Sequence, residues 1–238
     1  MFLLDLPYDK HFTYHELQKV VCKVLQVWPD VNKTEYYDCA GHIQSCAWYF
    51  IYGIIEELHK FLDEKHRMSY SGATSSFAKQ INKALLDQNL GWQLVNGKIL
   101  ARGDEAFEET IKTAVAVLIE DQKTTAAGHI RFAIGALSSR PRPSTSGAVA
   151  HATSAVECVL GEITGNAMSL GKYLDKHSRL FHPALKKGLD GLYGYASDEG
   201  ARHGKEGTEP TQEEAEFAVA SCAAVCTLLT RKHSRGDQ

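Results

Sequence analysis

The sequence has no apolar run of about 18 residues, the length that a membrane-spanning helix requires. Its first residues, MFLLDLP, lack a basic segment and are interrupted by Asp5, so they are not typical of a signal peptide. We therefore expect a cytoplasmic protein that contacts no membrane.

An excess of charge of one sign is also absent. The formal net charge is −3 over 238 residues, and residues 121–238 carry 14 Lys and Arg against 13 Asp and Glu. Because proteins that bind nucleic-acid duplexes present a broad basic face, this balance excludes such a face and leaves only local contacts with nucleic acid.

The signatures of common cofactor and metal enzymes are missing as well. The sequence has no nucleophile elbow, kinase signature or dinucleotide fingerprint. Its six cysteines lie within apolar helical patterns, which is typical of buried thiols in a reducing compartment rather than of a disulfide framework. Cys222 and Cys226 are one helical turn apart, but no second pair of ligands has metal-site spacing. We expect no metal and no cofactor.

The first half of the chain predicts helices with one small hairpin. Apolar periodicity predicts helices over 10–28, 42–65 and 77–88, with a loop over 31–41. Trp92–Val95 and Lys98–Ala101 are short alternating runs on either side of Asn96-Gly97. Asn-Gly between such runs is the signal of a type I′ hairpin, because both central residues adopt positive φ.

The second half predicts an antiparallel helical bundle, because its helices are joined by short connections. The helical pattern that begins at Asp104 is interrupted either at the polar patch DQKTT or at Gly128. We place a domain boundary at the patch, giving an N-terminal helical domain over 1–120 and a bundle over 121–238. The bundle helices are expected near 124–139, 147–164, 169–176, 182–197 and 211–232.

The last of these helices opens with a capping box, Thr211 and Glu214. Its expected core positions are Phe217, Ala220, Cys222, Ala224, Val225, Leu228 and Leu229. In the preceding helix, Gly188, Gly191 and Gly194 recur every third residue and predict close helix packing, either at a dimer interface or, as the neighbouring Leu189 and Tyr193 favour, inside the bundle.

Polar residues concentrate on the helix AVAHATSAVECVLGEIT. His151, Ser154 and Glu157, with Cys158, are three or four positions apart and therefore share one face. The face is either a polar seam against a neighbouring helix or solvent, or one side of a functional site.

A second polar group, SDEGARHG, follows the helix at 182–197. Its arginine, Arg202, can bind phosphate bidentately, and His203 can titrate near neutral pH. Together they could bind and cleave a phosphodiester without metal, with a ribose 2′-hydroxyl as nucleophile. Alternatively, adjacent side chains on a helix diverge by about 100°, and Asp198 simply pairs with Arg202 at a helix end.

These strings, together with LGKYL and FHPALKKGLDGLYGYASDEGARHG, resemble the C-terminal helical domain of AbiJ-like abortive-infection proteins, which belongs to the HEPN superfamily. The hairpin GWQLVNGKI is similar to one in N-terminal domains attached to such modules. The resemblance covers roughly residues 35–230.

The resemblance implies an all-α bundle, a homodimer and a role in phage defence or a toxin-like system, with RNA and an antitoxin or other defence protein as partners. Many members are metal-independent endoribonucleases whose Arg-x(4–6)-His motif forms a composite site across the dimer. This chain departs from the motif, because no histidine follows any arginine at that spacing. At the end of the domain where the motif is expected, only the contiguous Arg202-His203 offers both residue types, with Asp198, Glu157, Ser154 and His151 as supporting residues. A non-catalytic regulatory or assembly module is the alternative.

Overall fold

The computed structural model describes residues 12–66, 72–88, 90–167, 169–176, 178, 181–197 and 209–235. These residues form ten helices and one two-stranded antiparallel sheet. The predicted fold class, mainly α with one small hairpin, is confirmed. The chain forms two compact units, Met1–Ala101 and Arg102–Gln238.

The first unit contains four helices and the hairpin. Its elements are α1 (Tyr14–Leu25), α2 (Glu35–Ser45), α3 (Trp48–His66), α4 (Ala73–Asp87), β1 (Trp92–Val95) and β2 (Lys98–Ala101). α1 packs on α2 and α3, while α4 packs on α3 and β1. The core of this unit is built from fully buried aliphatic and aromatic side chains, including Leu17, Ile55, Leu58 and Phe77.

The hairpin has the strands and the turn that the sequence predicts. Leu94 pairs with Ile99 in an antiparallel register, and both side chains are buried in the core. Asn96 and Gly97 have φ angles of 49° and 77°, the positive values that a type I′ turn requires.

Side chains from two helices bind the outward-facing backbone groups of this hairpin. Asn82 of α4 accepts from the backbone N–H of Leu94 at 2.6 Å and donates to its carbonyl at 3.0 Å. Glu56 of α3 accepts from the backbone N–H of Ile99 at 2.9 Å. Because an isolated two-stranded hairpin is only marginally stable, these bonds complete its attachment to the helices.

The predicted loop over 31–41 is wrong, because α2 begins at Glu35. Most of this helix is polar or exposed, and only Asp38, Cys39 and Ile43 are buried. Its apolar stripe is therefore too narrow to show a clear helical period in the sequence. The single helix that the sequence predicts over 42–65 is divided, because Cys46 is extended: residues 42–45 belong to α2, and α3 begins at Trp48.

The second unit is a helical bundle. Its elements are α5 (Glu105–Glu120), α6 (Thr124–Leu137), α7 (Thr145–Thr164), α8 (Leu170–Lys176), α9 (Pro183–Ser197) and α10 (Gln212–Ser234). α7 packs on α6 and α10, and α10 also packs on α5, whereas α8 and α9 pack on each other and on α7. The core is rich in alanine on α6, α7 and α10, which allows these helix backbones to lie close together.

Local sequence signals set the limits of three of these helices as expected. The break between α5 and α6 falls within the DQKTT patch, where Gln122 has a φ angle of 60°. The capping box of α10 is also confirmed: the Thr211 hydroxyl accepts from the Glu214 N–H, and the Glu214 carboxylate accepts from the Thr211 N–H.

The expected core face of α10 is partly wrong. Phe217 is 70% exposed, Leu228 is 37% exposed and Ala224 is also exposed. The buried face instead carries smaller side chains, among them Ala215, Ala218, Val219, Cys222, Ala223 and Cys226. α10 contacts three neighbours (α5, α6 and α7), so its buried face is wide and its residues must be small.

The two compact units divide after Ala101, whereas the boundary placed from the sequence follows Glu120. α5 lies between these positions and packs on α6 and α10 of the second unit. The extent of the functional domains remains a prediction.

Candidate functional site

Three of the six predicted site residues, Asp198, Arg202 and His203, lie outside the described residues. The other three, His151, Ser154 and Glu157, lie on α7 as expected. Each of these three has a contact that defines its role in the second unit.

His151 faces a second histidine. Its Nδ1 atom lies 3.3 Å from Nδ1 of His129 on α6, and the ring of Phe132 is 5.4 Å away, centroid to centroid. At this distance one imidazole donates a proton and the other accepts it, so the contact requires at least one neutral ring. Burial lowers the pKa of His151, and the nearby charge of protonated His129 lowers it further.

Ser154 is bonded to its own helix. Its Oγ donates to the carbonyl of Ala150 at 2.9 Å, and the neighbouring Thr153 hydroxyl makes the same kind of bond to Val149. Because no described base accepts the Ser154 proton, the geometry does not activate this hydroxyl as a nucleophile.

Glu157 caps α8. Its Oε1 accepts from the backbone N–H of Leu170, the first residue of α8, at 3.0 Å. A carboxylate at a helix N-terminus satisfies a free N–H and interacts favourably with the helix dipole. One oxygen of Glu157 is thus used to join α7 to the beginning of α8.

A groove of about 740 Å³ opens beside these residues. It is lined by polar side chains of α6 and α7, among them Thr125, His129, Ser154, Glu157, Cys158 and Glu162. Burial raises the pKa of the Cys158 thiol, and the carboxylates of Glu162 and Glu157 raise it further. The described wall therefore presents two carboxylates and a protonated thiol, which disfavour binding of an anion.

The positive charge next to this groove is already neutralised. Lys123 is buried, and its amino group lies 3.1 Å from Asp121 and 3.3 Å from Glu162. The ammonium lowers the pKa of Asp121 through a hydrogen bond. Within the described part of the second unit, this cation stabilises the junction of α5 and α6 and does not offer a free phosphate-binding group.

Neither His129 nor Lys123 is marked as a site residue by any pattern in the sequence. His129 is distant in sequence from His151 and lies on a different helix, so no spacing rule connects the two. Lys123 stands in a polar connection that reads as an exposed turn. Only the packing of α6 against α7 reveals either residue.

A second groove, of about 470 Å³, is mainly apolar and lies between α9 and α10. It is lined by Leu185, Leu189, Leu192, Tyr195, Phe217 and Val225. The expected close packing at Gly188, Gly191 and Gly194 is not seen, because a Cβ at any of the three would have no described atom within 4 Å.

Comparison with known proteins finds a similarity in the N-terminal part of the chain. Residues 4–117 match the family model of AbiJ N-terminal domain 4. No curated protein and no solved structure matches the chain. Within the described residues, no helix combines the length and the apolar character that a membrane crossing demands. The match over residues 4–117 makes the chain similar to AbiJ proteins over its N-terminal part.

Proposed function

We propose that this protein is an abortive-infection effector whose second unit is a HEPN-type bundle that binds RNA and cleaves it without a metal ion. The observation that carries the proposal is the match of residues 4–117 to AbiJ N-terminal domain 4, which supports a role in phage defence. The sequence between the beginning of α7 and His203 resembles HEPN domains. This resemblance is the basis for the proposed cleavage reaction.

In this proposal Arg202 binds the scissile phosphate and His203 acts as general acid or base. A guanidinium matches the geometry of a phosphate, and an imidazole transfers protons near neutral pH. The residues on α7 act through the scaffold: Glu157 joins α7 to α8, while His151 packs against His129. Ser154 and Asp198 complete the proposed supporting set.

The proposed site is composite, formed by two copies of the chain. One chain carries a single Arg202-His203 pair, whereas a two-fold axis would bring two arginines and two histidines into one cleft. Mixing a chain that carries Arg202→Ala with one that carries His203→Ala tests this arrangement. Recovery of cleavage in the mixture supports it, and a chain that stays monomeric at micromolar concentration contradicts it.

The test of cleavage is incubation of the purified chain with total cellular RNA in EDTA. We expect degradation that is lost in Arg202→Ala and in His203→Ala. Arg131→Ala and His233→Ala are matched controls, because both residues are exposed and belong to the same unit. Cleavage that is equal in all four variants would identify a contaminating nuclease.

A non-catalytic regulatory or assembly module is the second candidate. It is favoured by the use of Ser154 and Glu157 in bonds within the bundle and by the two carboxylates that line the adjacent groove. In that case the chain binds a neutralising or other defence-system protein. Absence of both RNA binding and cleavage by a folded dimer would support this second role.

A further inference from the structure

Two helices of the first unit each contribute a pair of polar side chains to one buried position. Gln18 and Cys22 are one turn apart on α1, and Asp38 and His42 are one turn apart on α2. Gln18, Cys22 and Asp38 are buried, with Asp38 only 2% exposed, and the His42 side chain is 27% exposed. A buried carboxylate beside a thiol and an imidazole needs a compensating charge.

The donor atoms of three of these residues converge. One ligand atom each from Cys22, Asp38 and His42 lies within 4.8 Å of the other two. His42 Nε2 is 3.1 Å from Asp38 Oδ1. Tetrahedral zinc places nitrogen, oxygen and sulfur ligands about 2.0–2.3 Å from the metal, and therefore about 3.3–3.6 Å from one another. No separation among the three ligand atoms exceeds 4.8 Å, and the one between His42 and Asp38 is already within reach of a shared ion.

The hydrogen bonds around the cluster are those expected around a cation. Gln18 Nε2 donates to Asp38 Oδ2 at 2.7 Å, which holds the carboxylate with Oδ1 towards His42. His42 Nε2 is buried and, among the described residues, makes no hydrogen bond of acceptable geometry despite its closeness to Oδ1. When the His42 ring is neutral with its proton on Nδ1, Nε2 and the nearby Asp38 Oδ1 each have a lone pair that one metal ion can accept.

We propose that Cys22, Asp38 and His42 bind one Zn²⁺ ion, with Gln18 as the positioning residue for the carboxylate. A thiolate, an imidazole and a carboxylate form a ligand set suited to zinc, and water completes the tetrahedron. Binding converts the Cys22 thiol to a thiolate and releases its proton to solvent, so affinity increases with pH. The ion links α1 to α2 and so has a structural role. This role is independent of the proposed ribonuclease site.

The experiment uses the full chain, stripped with EDTA, dialysed and titrated with Co²⁺ as a spectroscopic substitute for zinc. We expect one equivalent to produce a thiolate-to-cobalt charge-transfer band, which Zn²⁺ then removes. Cys22→Ser should abolish the band, and Gln18→Leu should weaken affinity by about 10- to 100-fold, as is typical for partners that orient a ligand. Cys46→Ser and His15→Gln are controls, because Cys46 lies outside the cluster and His15 could form an exposed site with Glu35.

A second measurement uses only the unaltered chain, so it tests the proposal even if the variants fail to fold. Zn²⁺ should protect Cys22 from alkylation, as read by mass spectrometry, while leaving Cys46 as reactive as before. The proposal is overturned if the unaltered chain gives no charge-transfer band, if Cys22→Ser retains it, or if Zn²⁺ leaves the labelling of Cys22 unchanged. The last result would mean that Gln18, Asp38 and His42 form a metal-free polar cluster.

Discussion

The imidazoles of His129 and His151 meet between α6 and α7 with their Nδ1 atoms 3.3 Å apart. Their rings are tilted by 38° and share Phe132 as an aromatic neighbour. Protonation of both rings would place two positive charges in a half-buried contact. Burial lowers the pKa of His151 below its ordinary value, and the charge of His129 lowers it further, so the folded bundle resists the second proton.

We expect this pair to make the protein less stable in mild acid. The pKa of His151 is lower in the folded state than in the unfolded state, where it is about 6.5, so the unfolded chain binds more protons between these two values. Stability contributed by the neutral ring is present above about pH 6.5 and is lost as the pH falls through the folded pKa.

The measurement is urea unfolding at about pH 7.5 and about pH 5.5, on either side of the ordinary histidine pKa. The loss of stability on acidification should be smaller in His151→Asn than in the unaltered chain. His233→Asn, an exposed histidine on α10, should change it little. An equal acid-induced loss in His151→Asn and the unaltered chain would contradict the expectation.

Replacement of Glu157 should expose its role as a helix cap. Glu157→Ala removes the acceptor for the Leu170 N–H, and loss of such a cap costs about 0.5–2 kcal/mol. Glu157→Gln keeps an acceptor oxygen and should cost less. Hydrogen exchange of the α8 amides and urea unfolding would measure both effects.

Glu109→Ala serves as the control, because this glutamate is exposed on α5. A stable Glu157→Ala chain with unchanged α8 protection would show that the carboxylate acts elsewhere, for example on Arg202.

The two hydrogen bonds between the Asn82 side chain and the backbone of Leu94 in β1 should contribute more to the free energy of unfolding than an ordinary surface contact. Asn82→Ala leaves both the N–H and the carbonyl of Leu94 without their side-chain partner, and we expect a loss of about 1–3 kcal/mol. Asn82→Asp keeps the acceptor but not the donor, so its stability should lie between those of Asn82→Ala and the unaltered chain. Denaturant unfolding measures the change, with exposed Lys83→Ala expected to stay within about 0.5 kcal/mol of the unaltered chain.

Gly97 should not tolerate a side chain. Its φ angle is 77°, and an added Cβ would lie 2.9 Å from Nδ1 of His59. Backbone strain of this kind costs about 1–3 kcal/mol, to which the clash adds. Thermal unfolding should show a clear loss for Gly97→Ala and almost none for Gly91→Ala, where no described atom lies within 4 Å. Similar melting temperatures for the two variants would refute the assignment of strain.

The sequence alone determined the features that depend on short-range chemistry. Asn96-Gly97 specified the hairpin because only residues that accept positive φ form its turn. The capping box at Thr211 and the break near Gln122 were also readable, because each is encoded within a few consecutive residues. The hairpin string GWQLVNGKI, which resembles one in AbiJ-associated domains, likewise lies within residues 4–117, where the chain matches AbiJ N-terminal domain 4.

Tertiary structure alone decided which polar residues meet and which apolar residues are covered. The apolar pattern of the sequence did not predict α2, because the buried face of this helix includes Asp38, whose burial depends on α1. Phe217 is apolar and on a helix, yet it is exposed because α10 uses its small residues to contact three neighbours. His129 meets His151, and Cys22 meets Asp38 and His42, across helix interfaces. Helix periodicity fixes the face of a residue on its own helix, but the packing of helices fixes what that face contacts.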